Sequence, residues 1–589
     1  MKITSLLLLF VFTVSANCEI IYITQSGAGN GSSLVNAASV SFFNTSANWG
    51  TGAGKISAGD TVILNGTITS QLVIQSSGSS GSPIVVQFAA GAKMSAPYWG
   101  SAGAIAINSK SYITVDGGSN GIIESTANGT ALANQVENRV IVTSGSCTGV
   151  TIQNLTINGT YVRTPNSADS NEYGRVLYLL GSLTNFRVTN VSITDSFLGV
   201  FYAYSGSPAS SNIEIDNCTT LRTATGIVFG SGGASSFVNG GKIHHNTILG
   251  GGATWDGSWG PGLWHHSDGI HVWALQGSAI TGLEIYNNKV GPDLGTHVSG
   301  WIYLEGTVTS PKIYNNVCYA TGNSYAALGM IAVKQNSGTT STGAQIYNNT
   351  LRGIAIGSAG GNGIYIDSAT SVMIRNNIIS QIYAGIYAEL AAISTSNNNL
   401  FDCSPVAYVP SSGFKTSLAT WQSFSGKDVN SVFGNPLFSS APSNLTLSSG
   451  SPAIGIGGDL STVFTTDYNN ASRTIPWDIG AYKYGGIVPP ALPTCTLTAQ
   501  NSTITAGQST SLIWTTANAT SVSINQGIGT VGPTAGGSIV ITPATTTTYT
   551  LSANGPGGGI TCVATVTVTP IPPPPVQYPP TPTGLQLIP

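Results

Sequence analysis

From about residue 110 onward, apolar and polar positions alternate in short bursts that return roughly every 30 residues. One burst ends on asparagine: FRVTN at Asn190, IEIDN at Asn217, KIHHN at Asn246, EIYNN at Asn288, KIYNN at Asn316, QIYNN at Asn349 and MIRNN at Asn377. A second opens on glycine, at Gly199, Gly226, Gly269, Gly300, Gly329, Gly363 and Gly385. A period of two marks a strand with one face in and one face out. Two strands per repeat predict the coil of a parallel β-solenoid, each coil burying its inward side chains against its neighbours. The asparagines fit the tight turns, where the amides of successive coils hydrogen-bond along the axis.

Aligning the second burst by its inward residues matches Ile270 and Val272 with Ile302 and Leu304, Ile331 and Val333, and Ile364 and Ile366. Two outward columns result. One runs His271, Tyr303, Ala332, Tyr365, Tyr387; the other runs Trp273, Glu305, Lys334, Asp367, Glu389. Coils stack about 4.8 Å apart, so neighbours in a column touch.

Both bursts skip at one place, between Asn246 and Asn288 and between Gly226 and Gly269. One coil therefore carries an insertion, LGGGATWDGSWGPGLWHH, within 248–266. All six histidines lie between His244 and His297, and half of the ten tryptophans between Trp255 and Trp301. Insertions in solenoids map to loops on a binding face. Trp255, Trp259, Trp264 and Trp273 are expected to offer flat rings to sugars, with His265, His266, Tyr303 and Tyr365 as hydrogen-bonding partners. His265, His266 and His271 raise a transition-metal alternative, which adjacent strand positions and the lack of a nearby cysteine weaken.

Composition narrows the field. Charged residues make up 7% of 589, with 74 glycines and a net charge of −3. Nineteen basic residues give no electrostatic footprint for nucleic acid. In so uncharged a chain, the charged column stands out. Residues 1–16 read as a signal peptide: Lys2, an apolar run from Leu6 to Phe12, and small residues at Val14-Ser15-Ala16. Ser15-Ala16-Asn17 before Cys18 is a poor lipobox. No other stretch is long and apolar enough to span a bilayer. An exported protein, secreted or on the cell surface, is expected, and a monomer. Seven cysteines allow disulfides with a thiol left over; Cys147, Cys218, Cys318 and Cys403 read as buried core.

These phrases resemble the right-handed parallel β-helix (pectate-lyase-like) superfamily. AGDTVILNGTI (58–68), GSSGSPIVVQF (78–88) and SYITVDGG (111–118) resemble its opening coils. TWQSFSGKDVNSVFGNPLF (420–438), LSSGSPAIGIG (447–457) and WDIGAYKY (477–484) resemble the closing segment of secreted β-helix proteins. The resemblance implies an all-β helix over 17–486, acting on or binding a polysaccharide or cell-surface glycan. A linker at 487–494 follows. Residues 495–568, with LIWTTANATSVSI and TTTTYTLSANGPGG, resemble bacterial immunoglobulin-like β-sandwiches. That resemblance implies a core Trp514, a Cys495–Cys562 disulfide from first strand to last, and a role as spacer or, alternatively, glycan binder. Residues 569–589 are a proline-rich linker ending like the start of a fibronectin type III domain.

WHHSDGIHVW (264–273) resembles a His-Asp-Gly-Ile phrase of secreted β-helix proteins, and a related Asp-Gly phrase of pectate lyases whose Asp binds calcium. Here Ile follows the glycine, and no Asp-Asp pair appears in the next coil. Three readings of the flank stand open. In a uronate lyase, Lys334 removes the proton beside the substrate carboxylate, Asp268, Glu305 and Asp367 hold calcium, and His271 is central. In a glycoside hydrolase, Glu305 with Asp367, or Asp367 with Glu389, does the work. In a non-catalytic adhesin, Glu305–Lys334–Asp367 is a ladder of surface ion pairs.

Overall fold

The computed structural model describes residues 18–165, 169, 171, 173–233, 235–255, 258–260, 263–264, 267–295, 298–321, 326–336, 338–354, 361–485, 493–532, 534–555 and 558–570. The segment expected to be a signal peptide, most of the expected linker and the tail from 571 lie outside these. The chain divides into two compact units, Met1–Ile487 and Val488–Pro589.

The first unit is a parallel β-helix. Successive coils pair in parallel register through one continuous 37-stranded system. Ile270 pairs with Ile302, Ile302 with Ile331, Ile331 with Ile364 and Ile364 with Ile386, and all five are fully buried. Each coil carries three strand runs rather than the two expected. Val298–Gly306 is followed by Lys312–Tyr314 and then by Val317–Tyr319. A run of three residues is too short to display its alternation in sequence.

The Asn-Asn pairs at the second corner do two jobs. Asn246, Asn288, Asn316, Asn349 and Asn377 form an internal ladder: the backbone N–H and side-chain amide of each donate to the amide oxygen of the next, at 2.9–3.1 Å. The ladder ends at Asn399, whose amide donates to Asp428 and whose N–H donates to Ser431. The preceding residue of each pair has the left-handed backbone that asparagine tolerates, with φ of 48–59° from His245 through Asn398. Asn190 and Asn217 belong to this outer column: Asp216 pairs with His244, which sets Asn217 beside His245. A lone asparagine in a repeat does not reveal which of the two positions it fills.

A closing segment then runs back along the corner. It meets the outer column at Asn398 (Ile456 carbonyl, 2.9 Å), Asn376 (Gly458, 2.8 and 2.9 Å), Asn348 (Asp478 and Gly480 carbonyls, 3.0 and 2.9 Å), Asn315 (Thr466 carbonyl, 2.9 Å) and His245 (Asn470, 3.4 Å). Phe464 stacks on Tyr314 at 4.5 Å.

The second unit has a three-stranded and a five-stranded sheet. Leu512, Trp514, Leu551 and Val566 fill its core. Cys495 and Cys562 are joined, tying the first strand, Thr494–Ala499, to the last, Gly558–Thr569. The other described cysteines are free, and of these only Cys18 is exposed.

Candidate functional site

On the first strand run the first outward column forms as expected, and the second forms as far as Asp367. His271 pairs with Tyr303, Tyr303 with Ala332, Ala332 with Tyr365, Tyr365 with Tyr387 and Tyr387 with Tyr408. Trp273, Glu305, Lys334 and Asp367 follow one another in the same way. Upstream, the first column continues through Val228, Phe201, Tyr178 and Val142. One flank therefore runs the length of the helix.

At its centre four groups connect. Asp268 is buried, and its Oδ1 accepts from the Gly300 N–H at 2.9 Å. Its Oδ2 lies 3.6 Å from His271 Nδ1. His271 Nε2 lies 3.3 Å from Glu305 Oε1. The Tyr303 hydroxyl donates to Glu305 Oε2 at 2.7 Å. The His271 and Tyr303 rings stack at 4.8 Å, as neighbouring rungs dictate. Burial pushes the Glu305 carboxyl up, but hydrogen bonding with His271 and Tyr303 outweighs it and holds the group below its ordinary value. Burial, then the bond to Glu305, pushes the Tyr303 phenol well up, so it stays a donor. An imidazole has one lone pair; with a carboxylate facing each nitrogen, the His271–Glu305 contact is a place for a transferable proton.

Lys334, one rung beyond Glu305, is half-buried. Among the described residues no carboxylate lies within 4.0 Å of its amino group, so the ion-pair ladder Glu305–Lys334–Asp367 does not form. The expected calcium set is not assembled either. Glu305 and Asp367 are two rungs apart, about 10 Å, with Lys334 between them. Asp268, Glu305 and Asp367 do not converge as ligands among the described residues. These residues do not fit a shared ion, and no step is routed through one. Asp367 instead lines a cavity of about 400 Å³ with Tyr365, Tyr387 and Glu389. Glu389 lies beyond its strand and accepts from the Ser411 N–H and hydroxyl at 2.8 and 2.6 Å.

The tryptophans divide. Trp255 is fully buried, its indole N–H donating to the Arg222 carbonyl at 3.1 Å and its ring packed on Tyr161 and Phe197. The buried Arg163 sits 5.0 Å over it. Trp255 is therefore a core residue of a satellite cluster, not a sugar platform. Trp273 lies against the backbone of Gly230, where a Cβ would fall 2.2 Å from the indole. Trp259 and Trp264 sit in a small antiparallel pair, Ser258–Gly260 with Leu263–Trp264; their side chains, and His265 and His266, lie outside the described residues. Tyr365 stacks on Tyr387 at 4.5 Å and Tyr387 on Tyr408 at 5.2 Å. Stacked rings turn edges and hydroxyls outward, so these tyrosines form a hydrogen-bonding wall.

One cluster escaped the sequence reading. On the second strand run, Glu214, Asp216 and His244 bring ligand atoms within 4.8 Å of one another. Arg187 grips Asp216 with two bonds of 2.8 Å, and Thr189 and Asn217 add donors at 2.8 and 2.6 Å. Burial pushes the Asp216 carboxyl up, but Arg187 and Thr189 outweigh it and hold it low. A carboxylate saturated by donors belongs to a structural ion network. Its only signal was charge at alternate positions of EID and KIH.

No family model matches the chain, and no curated protein matches it. Among solved structures, it is similar to pectate lyase Pel9A, with 15% identity, 79% of this chain and 96% of that chain covered, and a TM-score of 0.37. It is also similar to a GH136 lacto-N-biosidase from Eubacterium ramulus, with 12% identity, 64% and 65% coverage and a TM-score of 0.41. The tailspike protein of E. coli bacteriophage HK620 in complex with a pentasaccharide gives 12% identity, 86% and 72% coverage and a TM-score of 0.28. Likeness at this level carries no chemistry across; the site stands on its own geometry.

Proposed function

We propose that this chain is an exported polysaccharide-active protein whose flank cleaves a uronate-bearing glycan by β-elimination. The observation that carries this reading is the juxtaposition of the Asp268–His271–Glu305–Tyr303 network with Lys334, whose amino group has no carboxylate within 4.0 Å among the described residues. Elimination needs three things: a charge to neutralise the substrate carboxylate, a base for the adjacent carbon-bound proton, and a donor for the departing oxygen. Lys334 supplies the first. The His271–Glu305 pair, with Asp268 beside Nδ1, takes the proton: Nε2 passes its own hydrogen to Glu305 Oε1 and accepts the carbon-bound one in its place. Tyr303, held protonated by burial and by Glu305, supplies the last. Glu305 orients both rings. Lys334 thus moves from base to charge neutraliser, because the His271–Glu305 contact offers the base.

The Asp367–Glu389 cavity supports a second reading, hydrolysis by two carboxylates. The two-sheet form of the second unit and its disulfide support an immunoglobulin-like spacer in an oxidising compartment. Among the described residues no helix is long and apolar enough to cross a membrane.

Incubation with uronate and neutral polysaccharides, with and without chelator, tests this. Unsaturated products absorbing in the ultraviolet, persisting in chelator and lost in His271→Ala, are expected. Reducing ends without unsaturation assign the Asp367–Glu389 reading. Binding without any product makes the flank a glycan-binding surface and overturns catalysis.

A further inference from the structure

Five and six rungs upstream of Lys334 on the same flank, Arg175 and Arg139 stand directly opposite each other in adjacent strands. Like charges so placed are destabilising unless compensated. Compensation here is half complete. A single oxygen, Glu137 Oε1, receives Arg139 Nη2 at 2.6 Å and Arg175 Nη1 at 2.9 Å. Among the described residues no second carboxylate lies within 4.0 Å of either guanidinium. Two cations and one anion leave a formal charge of +1, partly exposed at 21% and 27%. The Arg139 guanidinium lies 3.9 Å over the Tyr178 ring, whose other face stacks on Phe201 at 5.2 Å. Arg139 and Tyr178 line a cavity of about 330 Å³ with Gln71, Asn108, Thr143 and Ser144. That volume is at the lower end for small-molecule sites, and its lining sets the arginine and these hydrogen-bonding groups among Val73, Ala102, Ala106, Val142 and Leu180.

The geometry points to a second glycan subsite here, one that takes an anionic sugar unit, carboxylated or sulfated, of the same chain that reaches Lys334. Planar guanidinium groups recognise such anions through paired N–H donors, and a residual cation beside a cavity of hydrogen-bonding and apolar groups is the complement of an acidic sugar rather than a neutral one. The inference rests on the proposed function and adds the register of the substrate. The six rungs from Lys334 to Arg139 span about 29 Å, and an extended sugar chain advances by about one rung per unit, so only a chain of about seven units or more engages both places.

The test measures binding of the full chain to oligogalacturonates of roughly three and roughly ten units, below and above that span. Alginate, a sulfated polysaccharide and a neutral glucan complete the panel. Arg139→Gln and Arg175→Gln are each expected to weaken the long oligomer about tenfold or more while changing the short one less than about twofold. Lys334→Ala is expected to weaken both. Two separate arginine variants, each checked by thermal unfolding, keep the outcome readable if one fails to fold. Arginine variants that bind the long oligomer like the parent, while Lys334→Ala weakens it, overturn the subsite and leave the centre intact. Loss at the arginines with no effect of Lys334→Ala supports the subsite and overturns the elimination centre. Binding of the sulfated polymer alone supports the subsite with a sulfate ester and removes the uronate. A protein that holds no anionic polymer sinks both.

Discussion

At the scale of single residues, position in the register decides what a side chain can do. His271 and Lys334 lie on a flank fixed by fully buried isoleucines beside them, so their alignment was legible from a period of two. Trp255 was not legible in the same way, because tryptophan serves equally as core and as sugar contact. Its burial depends on Arg163 and Tyr161, which lie far away in sequence. Trp255→Ala is accordingly expected to lower stability by about 3–5 kcal/mol, read by denaturant unfolding. His271→Ala should leave the melting temperature nearly unchanged and lower turnover at least about a hundredfold. Glu305→Gln should do likewise, since a neutral amide no longer orients both His271 and Tyr303.

At the scale of elements, the two asparagine columns carry the corner. Asn316 both donates to Asn349 and the Ile285 carbonyl and accepts from Asn288. Asn316→Ala orphans at least the Ile285 carbonyl and the Asn288 N–H, at a cost of about 2–6 kcal/mol. The same measurement on Asn190→Ala, outside the ladder, should show a much smaller loss. The sequence displayed the asparagine repeat but not its division, because NN presents two identical letters with different backbone geometry. The outer column also predicts a pH response. Burial, then the neighbouring His244, holds His245 below its ordinary 6.5. The unfolded chain therefore takes up a proton first as pH falls through 6.5. Stability from this site is full above that pH and declines below it, a slope that His245→Asn should flatten in unfolding curves.

At the scale of the whole molecule, the two units rest on different bonds. The β-helix keeps its described thiols unpaired, all but Cys18 buried, whereas the second unit closes on Cys495–Cys562. A reducing agent is therefore expected to lower the second unit's stability by about 2–4 kcal/mol and to leave the helix transition in place, as calorimetry of the full chain would show. Repetition made the helix visible in sequence. The closing segment was visible only as a resemblance, because it is irregular and its contacts fall more than eighty residues from most of its partners. Stacked repeats ordinarily tolerate gain or loss of a unit, since each touches only its neighbours. Here the returning strap touches successive coils from Asn398 back to His245, so it works as a ruler. Excising the single coil between Asn316 and Asn349 would leave every later rung one step out of phase with its clasp. The number of turns in this solenoid is thus written into its last stretch of helix-bound chain, not merely into its repeats.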